Sequence, residues 1–123
     1  MYHLTIKTHF AAAHRLVNYH GDCENLHGHN WHVEVTVAAR ELDNAGLGLD
    51  FKILKRRTKT LLDELDHKYL NDLEPFRDTS PSSEQIARFI YERLSREMDS
   101  DNVRVERVTV WESEFACASY TPD

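Results

Sequence analysis

His27-Gly28-His29-Asn30-Trp31-His32-Val33-Glu34-Val35-Thr36-Val37-Ala38-Ala39 is the most regular stretch of this sequence. Trp31, Val33, Val35, Val37 and Ala39 fall on one side of an extended chain, with His32, Glu34, Thr36 and Arg40 on the other. A period of two with one apolar face is the pattern of a half-buried β-strand. Upstream, Tyr2, Leu4, Ile6 and Phe10 occupy even positions and His3, Thr5, Lys7 and His9 odd ones, which predicts a second such strand. Between them, roughly from Val17 to Leu26, Asn18, Gly21, Asp22 and Asn25 supply turn chemistry. Two strands joined this way pair as a long hairpin.

Downstream the period changes. After a turn at Asp43-Asn44-Ala45-Gly46, the residues Phe51, Leu54, Thr58, Leu61, Leu62 and Leu65 mark one face of an amphipathic helix. A second helix is predicted from Ser82, where Pro81 precedes a Ser82-x-x-Gln85 capping box and Ile86, Phe89, Ile90, Leu94 and Met98 line one side. The polar stretch from Asn71 to Ser80, with Pro75, connects the helices. Two strands follow, Val103 to Glu112 and Phe115 to Tyr120, and the alternation of the former changes phase near Arg107, as a β-bulge would make it. The order β-β-α-α-β-β gives the α+β class, a four-stranded antiparallel sheet with two helices on one face. The 123 residues suit one domain, 1–123, and are too few for two independent cores. The open edges of such a sheet must be blunted, covered or paired, so a homo-oligomer is expected.

Hydrophobic residues at 41% and charged residues at 29% match a globular protein in water. No apolar run approaches the roughly 20 residues that span a bilayer, and Met1 to Lys7 does not resemble a secretory signal, so no membrane association and a cytoplasmic location are expected. A net charge of -6 argues against nucleic acid as a partner, because a phosphate backbone demands a positive face. The basic cluster Lys52, Lys55, Arg56, Arg57 and Lys59 reads as the solvated side of the first helix, with a small anionic substrate as the alternative partner. Two cysteines are too few for a disulfide scaffold.

The chemistry concentrates in histidines. His27 and His29 lie at i and i+2, so in a strand their imidazoles leave the same face about 6.5 Å apart, within reach of one metal ion. Continued backwards from Val33 and Trp31, both share the inward face, and His14 shares the inward face of the first strand continued past Phe10 and Ala12. A lone His-x-His is usually incidental; a third histidine in register and a nearby Cys23 turn the balance toward a metal site. Neutral imidazole suits Zn²⁺, and three protein ligands leave one position open, the arrangement of a catalytic centre. Gly28 would let the backbone approach closely or bend.

Cys23, four residues before His27, has two readings: a fourth ligand that closes the site, or a thiol whose pKa a nearby cation lowers into a usable base or nucleophile. Cys117, in the apolar run from Phe115 to Ala118, is expected to be a small buried hydrophobe. Asp66-His67 falls at the end of the first predicted helix, where a carboxylate can orient an imidazole for proton transfer, or where the pair merely caps the helix. Glu112 shares the parity of Val108 and Val110; it either points inward to meet paired N–H donors on a ligand or is an ordinary strand-end residue.

Phe10-Ala-Ala-Ala-His14-Arg-Leu, Cys23-x-x-x-His27-Gly-His29-Asn-Trp, Leu49-Asp50-Phe51, Leu65-Asp66-His67-x-x-Leu70-Asn71, Ser82-Ser83-Glu84 and Val110-Trp111-Glu112 occur in an order that resembles the 6-pyruvoyl-tetrahydropterin synthase superfamily over nearly the whole chain. The three-residue gap between Cys23 and His27 is similar to that of its bacterial 6-carboxy-5,6,7,8-tetrahydropterin synthase branch, of queuosine and deazapurine synthesis. The resemblance implies a tunnelling fold whose subunits join edge to edge into barrels, commonly hexamers of paired trimers. It implies conversion of 7,8-dihydroneopterin triphosphate to 6-carboxy-5,6,7,8-tetrahydropterin with loss of triphosphate and acetaldehyde, with no external redox cofactor. Carried onto this sequence, it makes His14, His27 and His29 zinc ligands, Cys23 the proton acceptor, and Asp66 with His67 a proton relay, His67 reaching across a subunit boundary. Glu112 would anchor the pterin. The usual Asn-Pro-Thr-Ser-Glu-Asn reads Ser80-Pro81-Ser82-Ser83-Glu84-Gln85 here; Ser82 keeps the hydroxyl, for capping and as a candidate substrate contact. The triphosphate has no assigned contact. The rivals are a 6-pyruvoyl-forming or other side-chain-cleaving pterin enzyme and, in another class, a non-catalytic zinc-stabilised module closed by Cys23.

Overall fold

The computed structural model describes residues 1–20 and 24–123. The two alternating stretches form β1 (Tyr2–His14) and β2 (His27–Ala39), antiparallel in unbroken register from Tyr2 opposite Ala39 to His14 opposite His27. They are followed by α1 (Phe51–Leu62); the other side of β2 is paired later by β4 (Val103–Ser113), which in turn pairs with β5 (Ala116–Tyr120). Between α1 and α2 (Ser83–Met98) lies β3 (Lys68–Tyr69), and the sheet order is β3-β1-β2-β4-β5.

Parity does what it promised. Ile6, Phe10, Ala12, Trp31, Val33, Val35 and Val37 are buried, and they pack with Leu54, Leu61 and Leu62 of α1 and Ile86, Ile90 and Leu94 of α2 in one core. The phase change in β4 is a bulge: Thr36 faces Arg107 but Val37 faces Val105, leaving Glu106 as the extra residue. It lets Val103, Val105, Val108 and Val110 all bury despite their mixed parity. Local chemistry sets the helix starts. The Asp50 carboxylate accepts the Lys52 N–H at 2.9 Å, and Ser82 Oγ accepts the Gln85 N–H at 3.2 Å. In the turn before α1, Gly46 takes φ +81° while Asp43 Oδ1 accepts from Ala45 and Leu47.

Four findings differ from the sequence reading. The four antiparallel strands gain a fifth, β3, two residues long and parallel to β1 beside Ala12 and Ala13; so short a strand has no periodicity to read. The first helix stops at Leu62 although the apolar pattern runs on to Leu65, and Leu65 is buried from a succession of tight turns. Phe51 stands 48% exposed at the start of α1 rather than in the core. Cys117 is exposed, because β5 is an edge strand and the alternation that leans Ala118 and Tyr120 toward the core turns Cys117 to the face that no helix covers. The basic residues from Lys52 to Lys59 are exposed, as expected of a solvated face.

Candidate metal centre

The hairpin register delivers two imidazoles to one place. His14 and His27 are cross-strand partners at the last pair of the β1–β2 ladder, and His29 follows two residues later on the same face. His14 Nε2 lies 3.0 Å from His27 Nε2, and the ring centroids of His14 and His29 are 5.2 Å apart. With Glu112, each of these residues offers a ligand atom within 4.8 Å of all the others. His14 is 2% exposed, whereas His27 and His29 are partly open. Beneath them lies Trp31, fully buried, its ring 4.9 Å from His14 and 5.0 Å from His29. Its indole N–H donates to the Ala12 carbonyl at 3.2 Å, which ties the floor of the site to β1.

Backbone carbonyls set the tautomers. The Pro81 carbonyl lies 2.7 Å from His14 Nδ1 and the Asn25 carbonyl 2.9 Å from His27 Nδ1. A carbonyl only accepts, so both Nδ1 atoms carry hydrogen and both Nε2 atoms of the neutral rings present lone pairs. Two lone pairs facing one another at 3.0 Å repel unless a cation lies between them. Among the described residues His29 Nε2 is buried without a hydrogen-bond partner, although Glu112 Oε1 comes within 3.1 Å of it. Burial, the largest influence, holds the His14 pKa below its ordinary value and so keeps the ring in the neutral, ligating form. The orphaned nitrogen, the opposed Nε2 atoms and the neutral His14 ring all fit a bound Zn²⁺.

Glu112 points to the inward side, as its shared parity with Val108 and Val110 allows, and its carboxylate stands beside the histidines, 3.7 Å from His14 Nε2. It is 39% exposed, so the same carboxylate also faces the opening of the site. Asp66 and His67 are elsewhere. They are not at a helix end, since α1 ends at Leu62; they follow the tight turns and lie against the outer edge of β1. Asp66 Oδ1 accepts the Ala11 N–H at 2.9 Å, and Asp66 Oδ2 lies 3.0 Å from His67 Nδ1. The Ala11 N–H, aided by His67 and only partly opposed by burial, holds the Asp66 carboxyl below its usual range, so it is an anion. His67 has φ +58°, a left-handed conformation that costs a non-glycine residue roughly 1–3 kcal/mol. Its side chain is 81% exposed and outside the histidine cluster, though His67 and His29 border the same open cleft. Cys23 lies outside the described residues.

Ser82 spends its hydroxyl on capping α2. Gly28 sits in regular strand opposite Ala13, where an added Cβ would meet the Ala12 carbonyl oxygen at an ordinary 3.8 Å, so no close approach among the described residues requires it. Sequence reasoning missed the carbonyls of Pro81 and Asn25, whose role depends on backbone position rather than residue type. It also took Trp31 for core alone; its place two residues after His29 on the same face was the available signal.

Residues 3–123 match the family model described as 6-pyruvoyl tetrahydropterin synthase. A Synechocystis protein named 6-carboxy-5,6,7,8-tetrahydropterin synthase is 40% identical over 90 residues, covering 69% of this chain and 68% of its own. One of the same name from Aquifex aeolicus is 28% identical over 121 residues, covering 80% and 75%. The structure of Caenorhabditis elegans 6-pyruvoyl tetrahydropterin synthase superposes with a TM-score of 0.79 at 28% identity, over 100% of this chain and 98% of that one.

Proposed function

The chain belongs to the 6-pyruvoyl tetrahydropterin synthase family, and from that premise we propose that it is a zinc-dependent carbon–carbon lyase converting 7,8-dihydroneopterin triphosphate to 6-carboxy-5,6,7,8-tetrahydropterin, acetaldehyde and triphosphate. The observation that carries the reading is the convergence of His14, His27 and His29, the Nδ1 atoms of His14 and His27 engaged by backbone carbonyls so that their Nε2 atoms face one point, in a chain similar to proteins that bear that synthase name. The product would feed queuosine and deazapurine synthesis. We take the chain to be a single cytoplasmic domain, 1–123, working as a homo-oligomer, a hexamer of paired trimers, on a small pterin and not on nucleic acid or membrane.

His14, His27 and His29 would hold one Zn²⁺ per subunit, whose Lewis acidity would stabilise negative charge developing on the hydroxylated side chain of the substrate. The remaining steps fall to the chain's own groups. The Glu112 carboxylate, at the opening of the site, accepts two parallel N–H bonds from the amino-pyrimidinone edge of the pterin and so aims the side chain toward the histidines. Cys23, four residues before His27, takes the proton from the substrate side chain. His67, oriented by the Asp66 anion, moves a proton in a neighbouring subunit's site, in keeping with its exposure and its absence from the cluster of its own chain. Ser82 contributes through the α2 N-terminus it caps, as a candidate contact for the pterin.

The decisive experiment measures acetaldehyde released from 7,8-dihydroneopterin triphosphate by zinc-loaded protein and by chelator-stripped protein. Zinc-dependent acetaldehyde is the expected result. Consumption of substrate without acetaldehyde would transfer the assignment to a pyruvoyl-forming or another side-chain-cleaving activity, and no consumption would leave a zinc-stabilised module.

A further inference from the structure

The outer edge of β1 is covered in an unusual way beyond the reach of β3. At Ala11 the Asp66 carboxylate takes the N–H and the His67 N–H donates to the carbonyl; β3 then pairs beside Ala12 and Ala13. After His14 the regular ladder stops, yet both backbone groups of each of the next three residues are occupied. Asn71 Oδ1 accepts the Arg15 N–H at 3.0 Å while Asn71 Nδ2 donates to the Arg15 carbonyl at 2.9 Å. The Leu16 N–H donates to Glu24 Oε1 at 3.1 Å, and the Leu16 carbonyl accepts from the Glu24 N–H at 2.9 Å. Ser80 Oγ accepts the Val17 N–H at 2.7 Å and donates to the Val17 carbonyl at 3.0 Å.

Asn71 and Ser80 each imitate a rung of a β-ladder, one side chain taking a donor and an acceptor from one residue, at alternate positions of the segment that follows β1. Both bear on His14. Asn71 holds the residue that follows it, and Ser80 precedes Pro81, whose carbonyl orients the His14 ring. We propose that Asn71 and Ser80 are positioning residues for the metal centre: they hold the backbone beyond His14 so that its Nε2 is aimed at the point where His27 and His29 also aim theirs. This rests on the metal reading of the three-histidine cluster. Groups that orient a ligand from outside the coordination sphere commonly contribute 10- to 100-fold in metal affinity, so the effect is large enough to measure.

The test is Zn²⁺ affinity by chelator competition, with the visible spectrum of the Co²⁺-substituted protein and amide exchange at Arg15 and Val17. Asn71→Ala and Ser80→Ala should each weaken Zn²⁺ binding about 10-fold or more, alter the Co²⁺ absorption and speed exchange of the amide each side chain had held. Ser80→Thr, which keeps the hydroxyl, should restore all three readouts, and Asn71→Asp, which keeps the acceptor and loses the donor, should fall between. If an alanine variant fails to fold, these conservative variants decide the matter. Alanine variants that melt earlier but bind Zn²⁺ with unchanged affinity and spectrum would reduce Asn71 and Ser80 to structural residues while leaving the metal reading intact. Wild-type protein that binds no Zn²⁺ in the same competition would overturn the metal reading and this proposal together.

Discussion

A neutral imidazole at position 14 does two jobs, filling a buried place above Trp31 and offering a lone pair to the centre of the site. His14→Ala should therefore abolish stoichiometric zinc in elemental analysis; a variant that kept full zinc would remove His14 from the ligand set. The ring also gives the metal-free protein a pH dependence of definite sign. Burial lowers its folded pKa from the ordinary 6.5, so below that value the unfolded chain takes up a proton that the folded chain refuses. Metal-free protein should accordingly melt at lower temperature as the pH falls below about 6.5, until the lowered value of His14 itself is passed. A melting temperature that rises over that interval would contradict the assignment. Glu112 and Cys23 separate by readout. Glu112→Ala should keep zinc and weaken binding of a pterin by roughly 100-fold, the loss of paired hydrogen bonds to a charged group, whereas Cys23→Ala should keep zinc and lose turnover. Titration with a pterin, beside turnover at saturation, distinguishes the two.

At the scale of elements, β1 and β2 make the candidate site because their register ends where the histidine cluster begins. Trp31 joins the two roles of the hairpin: its ring stacks on Phe10 in the core at a centroid distance of 6.0 Å and underlies His14 and His29 on its other flank. Trp31→Ala should cost about 3–5 kcal/mol in denaturant unfolding of the metal-free protein, and Trp31→Phe much less. A cost below about 1 kcal/mol for the alanine variant would mean that the floor of the site is not part of the core. The strands and helices were legible because each carries its own period and its own cap, as Val33 to Val37, Asp50 and Ser82 illustrate. β3 was not, since two residues hold no period, and Leu65 was assigned to a helix because burial from a turn leaves the same apolar mark as burial from a helix.

For the molecule as a whole, the sheet among the described residues keeps open edges along β5 and along β1 before Ala11, and the tip between β4 and β5 exposes Phe115 to 91%. Unpaired backbone groups beside an exposed aromatic ring favour partnering with further chains. Sedimentation velocity at micromolar concentration should show a single species larger than the monomer, and a stable monomer would oppose the assembly proposed above. In the assembled form His67, remote from the histidine cluster of its own chain, would find its use.

The face that the three histidines share could be read without coordinates, because alternation is a local rule. Once Trp31 and Phe10 were known to point inward, His29, His27 and His14 had to follow them. The same holds for the bulge in β4, whose phase change is written in the order of its valines. What depended on the folded chain were relations between residues distant in sequence. Pro81 meets His14 across 67 positions, Asn71 meets Arg15 across 56, and Ser80 meets Val17 across 63. Those contacts come from laying the segment between α1 and α2 against the end of β1, and a hydrogen bond to a backbone carbonyl leaves no mark on residue type. Cys117 shows the converse: its apolar neighbours suggested a core position, and its place on an edge strand put it in solvent. Burial is a property of what covers a strand, which no local pattern contains.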